Sequence, residues 1–390
     1  MAKVMTRREL LKAGLTAASL AAMGLPSGVL PAFAQGETLV PFTDIPNSID
    51  FTIDPNSITR FLDIRTIDGS LTPKDKFFAL QHIGQPQVDL STYKLKISGL
   101  VNKPVELTLD EIRKRPSMQI AAGFECSGNS PRRIEGLVSN GMWTGTRLRD
   151  LLTSVGVRPE GKEVVFFGAD HAEESVPFRG QTIKIDQHFG RSLTIDNAMK
   201  PEPMLVYALN GEPLTRFQGS PLRLLNPGWY GVSNVKWLSQ IHLQEARFVG
   251  NYQARWYLTL RSEMVDGQEI WKETEVTRLQ LKSVIARVTR SGNQHFVHGF
   301  VLNDGTPLKS VEVQVDGGRW GVATMDKSNT QYSWKLFTYA WEGATPGEHT
   351  LVSRVTDVNG KVQPTLAELD KTKKTFLEDN SQFPRKVMIG

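Results

Sequence analysis

The sequence predicts an α+β domain with a mixed sheet, followed by a β-sandwich of about 110 residues. From Phe51 to about Val249, short β-branched runs alternate with candidate helices, whereas beyond a polar stretch the pattern is strands only. A content of 39% hydrophobic and 22% charged residues excludes a disordered or polytopic membrane chain, and 390 residues suggest more than one core.

The first 34 residues read as an address. Arg7 and Arg8 precede Leu10-Leu11-Lys12, an apolar run covers residues 13–25, and Ala32-Phe33-Ala34 offers small residues at a cleavage site. The expectation is a twin-arginine signal peptide, carriage by the twin-arginine translocase to the bacterial periplasm, and a cofactor loaded before export. The alternative is a membrane anchor, but Gly14, Gly24 and Pro26 interrupt the run, which falls short of the roughly 20 apolar residues of a span. This segment also holds +3 of the formal +5 charge, so the remainder is near neutral and nucleic acid is not an expected partner.

Residues 93–99 predict a strand. Residues 109–114 predict a helix ending before Pro116, and residues 148–155 a second helix stopped by Gly156. Residues 261–279 read as a polar connector. Strands then follow at 283–289, 296–302, 311–315, 332–337 and 349–356, with Asp316-Gly317-Gly318 and Asn359-Gly360 as turn residues.

A single cysteine, Cys126, rules out an internal disulfide, covalent c-type haem and an iron–sulfur cluster within this chain. His295 and His298 lie three apart on a predicted strand, so they face opposite ways, and no phosphate-binding glycine fingerprint occurs. Residues 120–125 predict a strand that delivers Cys126 into the sharp turn Cys126-Ser127-Gly128-Asn129-Ser130-Pro131. Two readings stand for that thiol: an inert buried hydrophobe, or a soft thiolate ligand presented among backbone donors.

With that turn, Trp143-Thr144-Gly145-Thr146-Arg147-Leu148-Arg149-Asp150-Leu151-Leu152 and Pro227-Gly228-Trp229-Tyr230-Gly231-Val232-Ser233-Asn234-Val235-Lys236-Trp237-Leu238 in order, the chain resembles the sulfite oxidase family of molybdenum enzymes. The resemblance implies a molybdopterin-binding domain over residues 51–260 and an immunoglobulin-like dimerisation domain over 280–390, where Val362-Gln363-Pro364 also fits. It leaves no room for the haem or flavin domains of larger relatives.

It implies a molybdenum–molybdopterin cofactor with Cys126 on the metal. Phe78, His82, Asp170, Gln218, Arg223, Asn234, Val235 and Lys236 fall at cofactor positions, with Gln218 standing where the family has a histidine. Tyr257 corresponds to the family's active-site tyrosine and Arg385 to a substrate-side arginine; read alone, they are a core aromatic and a surface charge. Two positions depart from the pattern. Leu80 replaces an anion-binding arginine, and Ser130-Pro131 replaces an arginine pair that Arg132 and Arg133 follow two residues later.

The implied activity is oxidation of a small oxyanion, sulfite to sulfate, by a homodimer passing electrons singly to a separate c-type cytochrome. Alternatives are a relative acting on another oxyanion or an S-oxide, including as a reductase, and a non-catalytic binding module.

Overall fold

The computed structural model describes residues 37–45, 59–131 and 134–390. The leader, Phe51, Arg132 and Arg133 lie outside them. Among the described residues, no helix is long and apolar enough to cross a membrane.

Two five-stranded sheets frame the first part. In one, Leu238–Gln244 lies parallel to Lys94–Gly99 and antiparallel to Glu163–Phe178, so the sheet is mixed, as expected. Val105–Thr108 closes one edge and Gln181–Thr194 the other. Ile97, Ile241 and Phe166 sit opposite one another across three strands and are buried. In the second sheet, Ser117–Glu125, Val138–Arg147 and Met204–Leu209 run antiparallel, and Arg223–Leu225 pairs with the last of these.

The helices follow local sequence. Leu148–Val155 buries Leu148, Leu151, Leu152 and Val155, the spacing of one helical face, and Gly156 at φ 71° ends it. Leu109–Arg113 begins with a Thr108/Glu111 capping box.

In the second part, two sheets enclose one core. One contains Lys282–Ser291, Gln294–Leu302 and Lys335–Trp341; the other contains Leu308–Val315 and Gly347–Asp357. Four edge strands were not legible: Thr38–Val40, from the opposite end of the chain, Gly321–Val322, Thr324–Met325 and Arg385–Ile389. The strand expected at 332–337 begins only at Lys335, because the Tyr332 carbonyl accepts instead from Gly123 N, on the first part, at 2.8 Å.

The predicted connector at 261–279 is largely a hairpin, Leu258–Val265 with Gln268–Glu275. Its polar composition hid it, but Asp266-Gly267 at φ 49° and 81° supplies the tight turn that matches strand twist.

Candidate active site

The strand Ser117–Glu125 ends at the thiol. Cys126 N donates to Leu137 O at 3.0 Å, and Asn129 N donates to Cys126 O at 2.9 Å. The Asn129 amide closes the loop, donating to Glu125 Oε1 at 3.1 Å and Glu135 O at 3.2 Å while accepting from Leu137 N at 3.0 Å. Beneath it, Lys282 Nζ on the first long sandwich strand reaches Glu125 and Glu135 at 2.8 Å each, all three buried. Cys126 is itself buried and lines a pocket.

Cations converge on that pocket. Arg223 is buried, with Nη1 donating to Gln218 O and Nη2 to Asn234 O, both at 3.0 Å, and its guanidinium lies 5.1 Å over the Phe124 ring. Its Nε has no partner, and burial lowers its pKa to about 9. The Lys236 ammonium donates to Leu80 O at 3.1 Å and Gln81 Oε1 at 2.9 Å. Burial first, then the charge of Arg223, pushes it down to about 7. Asp170 is buried with Oδ1 unpartnered, and burial lifts it to about 6. Gly168 makes room for that carboxylate, since a Cβ there would fall 2.1 Å from Asp170 Oδ1.

Opposite lies a hydrogen-bonded pair, His82 Nε2 and the Tyr257 hydroxyl, 2.6 Å apart. Burial and then Lys236 lower His82 to about 4, so the imidazole is neutral at pH 7. Burial, with the charge of Cys126 second, raises Tyr257 above the usual phenol range, so its hydroxyl keeps its proton. Tyr252 stacks on His82 at 5.1 Å and fixes the ring. The pair presents a protonated phenol beside the thiol, able to donate to an oxygen anion and to be reprotonated through the imidazole.

Of the residues expected at the site, Phe78, His82, Cys126, Asp170, Gln218 and Arg223 line this pocket, as do Asn234, Lys236 and Tyr257. Two of them have side chains already committed. The Gln218 amide accepts from Thr215 N and donates to Lys74 O, and the Asn234 amide accepts from Asn226 N and donates to Tyr230 O. Val235 is core, its carbonyl taking Leu224 N, and is not on the wall.

Arg385 is a correction. It is buried on the edge strand Arg385–Ile389, pairs with Asp44 at 3.6 Å, and borders a separate small cavity with Glu135 and Lys282. An arginine placed by alternation on a sandwich edge points into that sandwich, so proximity to the chain end gave no information about the pocket. Sequence reasoning missed Gln81, Phe189 and Phe217, which line the wall, and Lys282, which acts from more than 150 residues away. No local signal marks these; only Gln81 lies between residues already singled out, Leu80 and His82.

The residues present fit an anionic pterin cofactor: two enclosed cations, an unpartnered Arg223 Nε and an unpartnered Gln81 Nε2 offer donors, and the thiol offers a soft ligand. The sequence model described as "Oxidoreductase molybdopterin binding domain" matches residues 82–253. The fold and pocket therefore define a molybdopterin-binding oxidoreductase domain.

The chain is 31% identical over 300 residues to the mitochondrial sulfite oxidase of Drosophila melanogaster, covering 68% of this chain and 50% of that protein. It is 29% identical over 280 residues to the NADH nitrate reductase of Ulva prolifera, covering 64% of this chain and 32% of that one. The chain thus spans a third to a half of these two curated relatives. Among solved structures, the sulfane dehydrogenase SoxCD of Paracoccus pantotrophus superposes with a TM-score of 0.71 at 25% identity, covering 89% of this chain and 90% of that one. Within its class, the chain belongs to the sulfite oxidase family.

Proposed function

We propose that this protein is a molybdenum-dependent oxidoreductase that oxidises sulfite to sulfate, with electrons leaving singly to a separate c-type cytochrome. The observation that carries the reading is the meeting, in one pocket, of the Cys126 thiol, the His82–Tyr257 pair and the enclosed cations Arg223 and Lys236. Arg223 and Lys236 would hold the cofactor's phosphate and pterin charges, and Cys126 would ligate the molybdenum. The bound group supplies two-electron redox chemistry with exchange of an oxygen atom. The chain's own contribution is orientation and protons: Tyr257 donates to the substrate oxygen, and His82 holds Tyr257 in place.

Metal analysis and a sulfite assay with cytochrome c test this together. Molybdenum and pterin near one per chain, with sulfite-dependent reduction, support it. Loaded protein inert toward sulfite would leave the relative acting on a different oxyanion or an S-oxide, including as a reductase; absent molybdenum would leave the binding module.

Leu80 favours attention to that second substrate class. It lies on the pocket wall, where Phe78, Phe189 and Val232 add further apolar surface. A sulfite dianion lacks there the charge-assisted hydrogen bonds that a guanidinium supplies, worth roughly 1.5–3 kcal/mol. Leu80→Arg is expected to lower KM for sulfite by on the order of tenfold to a hundredfold, read from steady-state kinetics. A raised KM alongside efficient native turnover would show that another residue binds the anion.

The reading includes periplasmic residence by the twin-arginine route and a homodimer formed through the sandwich, which exposes Val322 and Met388. Replacing Arg7 and Arg8 by Lys keeps the charge but removes the guanidinium pair, and is expected to abolish periplasmic accumulation. Cell fractionation checks this. Sedimentation as a monomer at micromolar concentration would remove the dimer.

A further inference from the structure

Outside the pocket, the long hairpin of Glu163–Phe178 with Gln181–Thr194 carries a second constellation. Its register sets His171 opposite His188 and Glu173 opposite Asp186, so all four side chains share one face. His171 Nδ1 lies 2.9 Å from Asp186 Oδ1, and His188 Nε2 lies 3.6 Å from Asp186 Oδ2. The ligand atoms of these three residues all lie within 4.8 Å of one another, and the two rings stack at 4.7 Å. A tetrahedral ion with bonds of about 2.0–2.2 Å holds its ligand atoms roughly 3.4 Å apart, and the two measured separations straddle that value.

The strand irregularity explains why the cluster exists. Between the pairs Phe167↔Gly190 and His171↔His188, residues 168–170 face the single residue Phe189. That bulge sends Asp170 into the pocket and brings His171 opposite His188. The frame is held from behind: Glu174, on the other face, accepts from the Tyr252 hydroxyl at 2.5 Å and from Asn251 Nδ2 at 3.1 Å. On the cluster face, two carboxylates stand directly opposite, an unfavourable pairing. Lys184 pairs with Glu173 at 2.8 Å, which leaves Asp186 to the imidazoles.

We propose that His171, Asp186 and His188 form a surface binding site for a divalent transition-metal ion of the zinc or copper(II) class. Two imidazoles with one carboxylate suit those borderline ions rather than magnesium or calcium, which prefer all-oxygen sets. Three protein ligands leave coordination open to water. The site is separate from the pocket, one residue along the strand from its wall.

Untagged full-length protein, freed of adventitious metal with a chelator, would be titrated with zinc by calorimetry and with copper(II) by electron paramagnetic resonance. The expected result is one saturable equivalent in the micromolar range, with hyperfine splitting from two nitrogens. His171→Ala, His188→Ala and Asp186→Asn should each weaken zinc binding by on the order of tenfold or more. His349→Ala removes another histidine beside a carboxylate, Asp316 at 2.6 Å, and should leave binding unchanged. Absence of a saturable equivalent, or binding that persists in the His171→Ala/His188→Ala double variant, overturns the proposal.

Discussion

Cys126→Ser is expected to yield a folded protein that retains pterin and turns over no substrate. The substitution is nearly isosteric at a buried position, and the loop around it is closed by Asn129 and by backbone bonds that do not involve the sulfur. On the proposed reading, Arg223 and Lys236 would still hold the cofactor's anionic parts. What would change is the proposed metal ligand: a hydroxyl is harder than a thiolate and is not deprotonated at neutral pH. Steady-state rates, with molybdenum and pterin content measured on the same preparation, separate the outcomes. Unchanged turnover would remove Cys126 from the chemistry, while loss of pterin along with activity would make it a retention residue.

Lys282→Met should cause the largest loss of stability of any single change considered. It strands Glu125 and Glu135 in the interior without their cation, and breaking a buried pair in this way costs about 3–5 kcal/mol. For a chain of this size, that corresponds to a Tm lower by roughly 4–6 °C in a thermal melt. The combination Lys282→Met, Glu125→Gln, Glu135→Gln should recover most of it, since neutral groups carry a much smaller desolvation cost.

The pH dependence has a defined sign. Burial already raises Glu125 above its ordinary carboxyl range despite the neighbouring Lys282 charge, and removing that charge raises it further. The folded variant then binds more protons than the unfolded chain. Stability from this source is fully present below the unfolded pKa and lost as pH rises through the folded one, so the deficit should shrink as pH falls into the carboxylate range. A deficit that widens on acidification would show that the carboxyls are not the stranded groups.

Much of this was legible locally. Leu148–Val155 carries its apolar spacing and its stop at Gly156 within ten residues, and the turn after Glu125 announced a thiol held in a loop. Motif order then placed nine pocket residues without reference to coordinates. What could not be read depends on contacts between distant segments. Lys282 looks like any strand-initial lysine until its strand packs under the Cys126 loop. Arg385 failed for the opposite reason, because a correspondence of position in the sequence says nothing about which of two cavities its side chain enters. His171 and His188 lie too far apart in sequence for a metal-spacing rule, and only the hairpin register and its bulge bring them together.

The position of Leu238–Gln244 bears on biosynthesis. It lies between Lys94–Gly99 and Glu163–Phe178, which have no other partner joining them in that sheet, although it is the last of these strands to be made. The ribosome must therefore deliver residue 244 before the sheet can close, and Lys282 before the thiol loop acquires its buried cation. Long sequence separations of this kind slow folding. A cofactor that needs the finished pocket therefore has no assembled cavity to enter until Tyr257, the last residue on its wall, has left the ribosome.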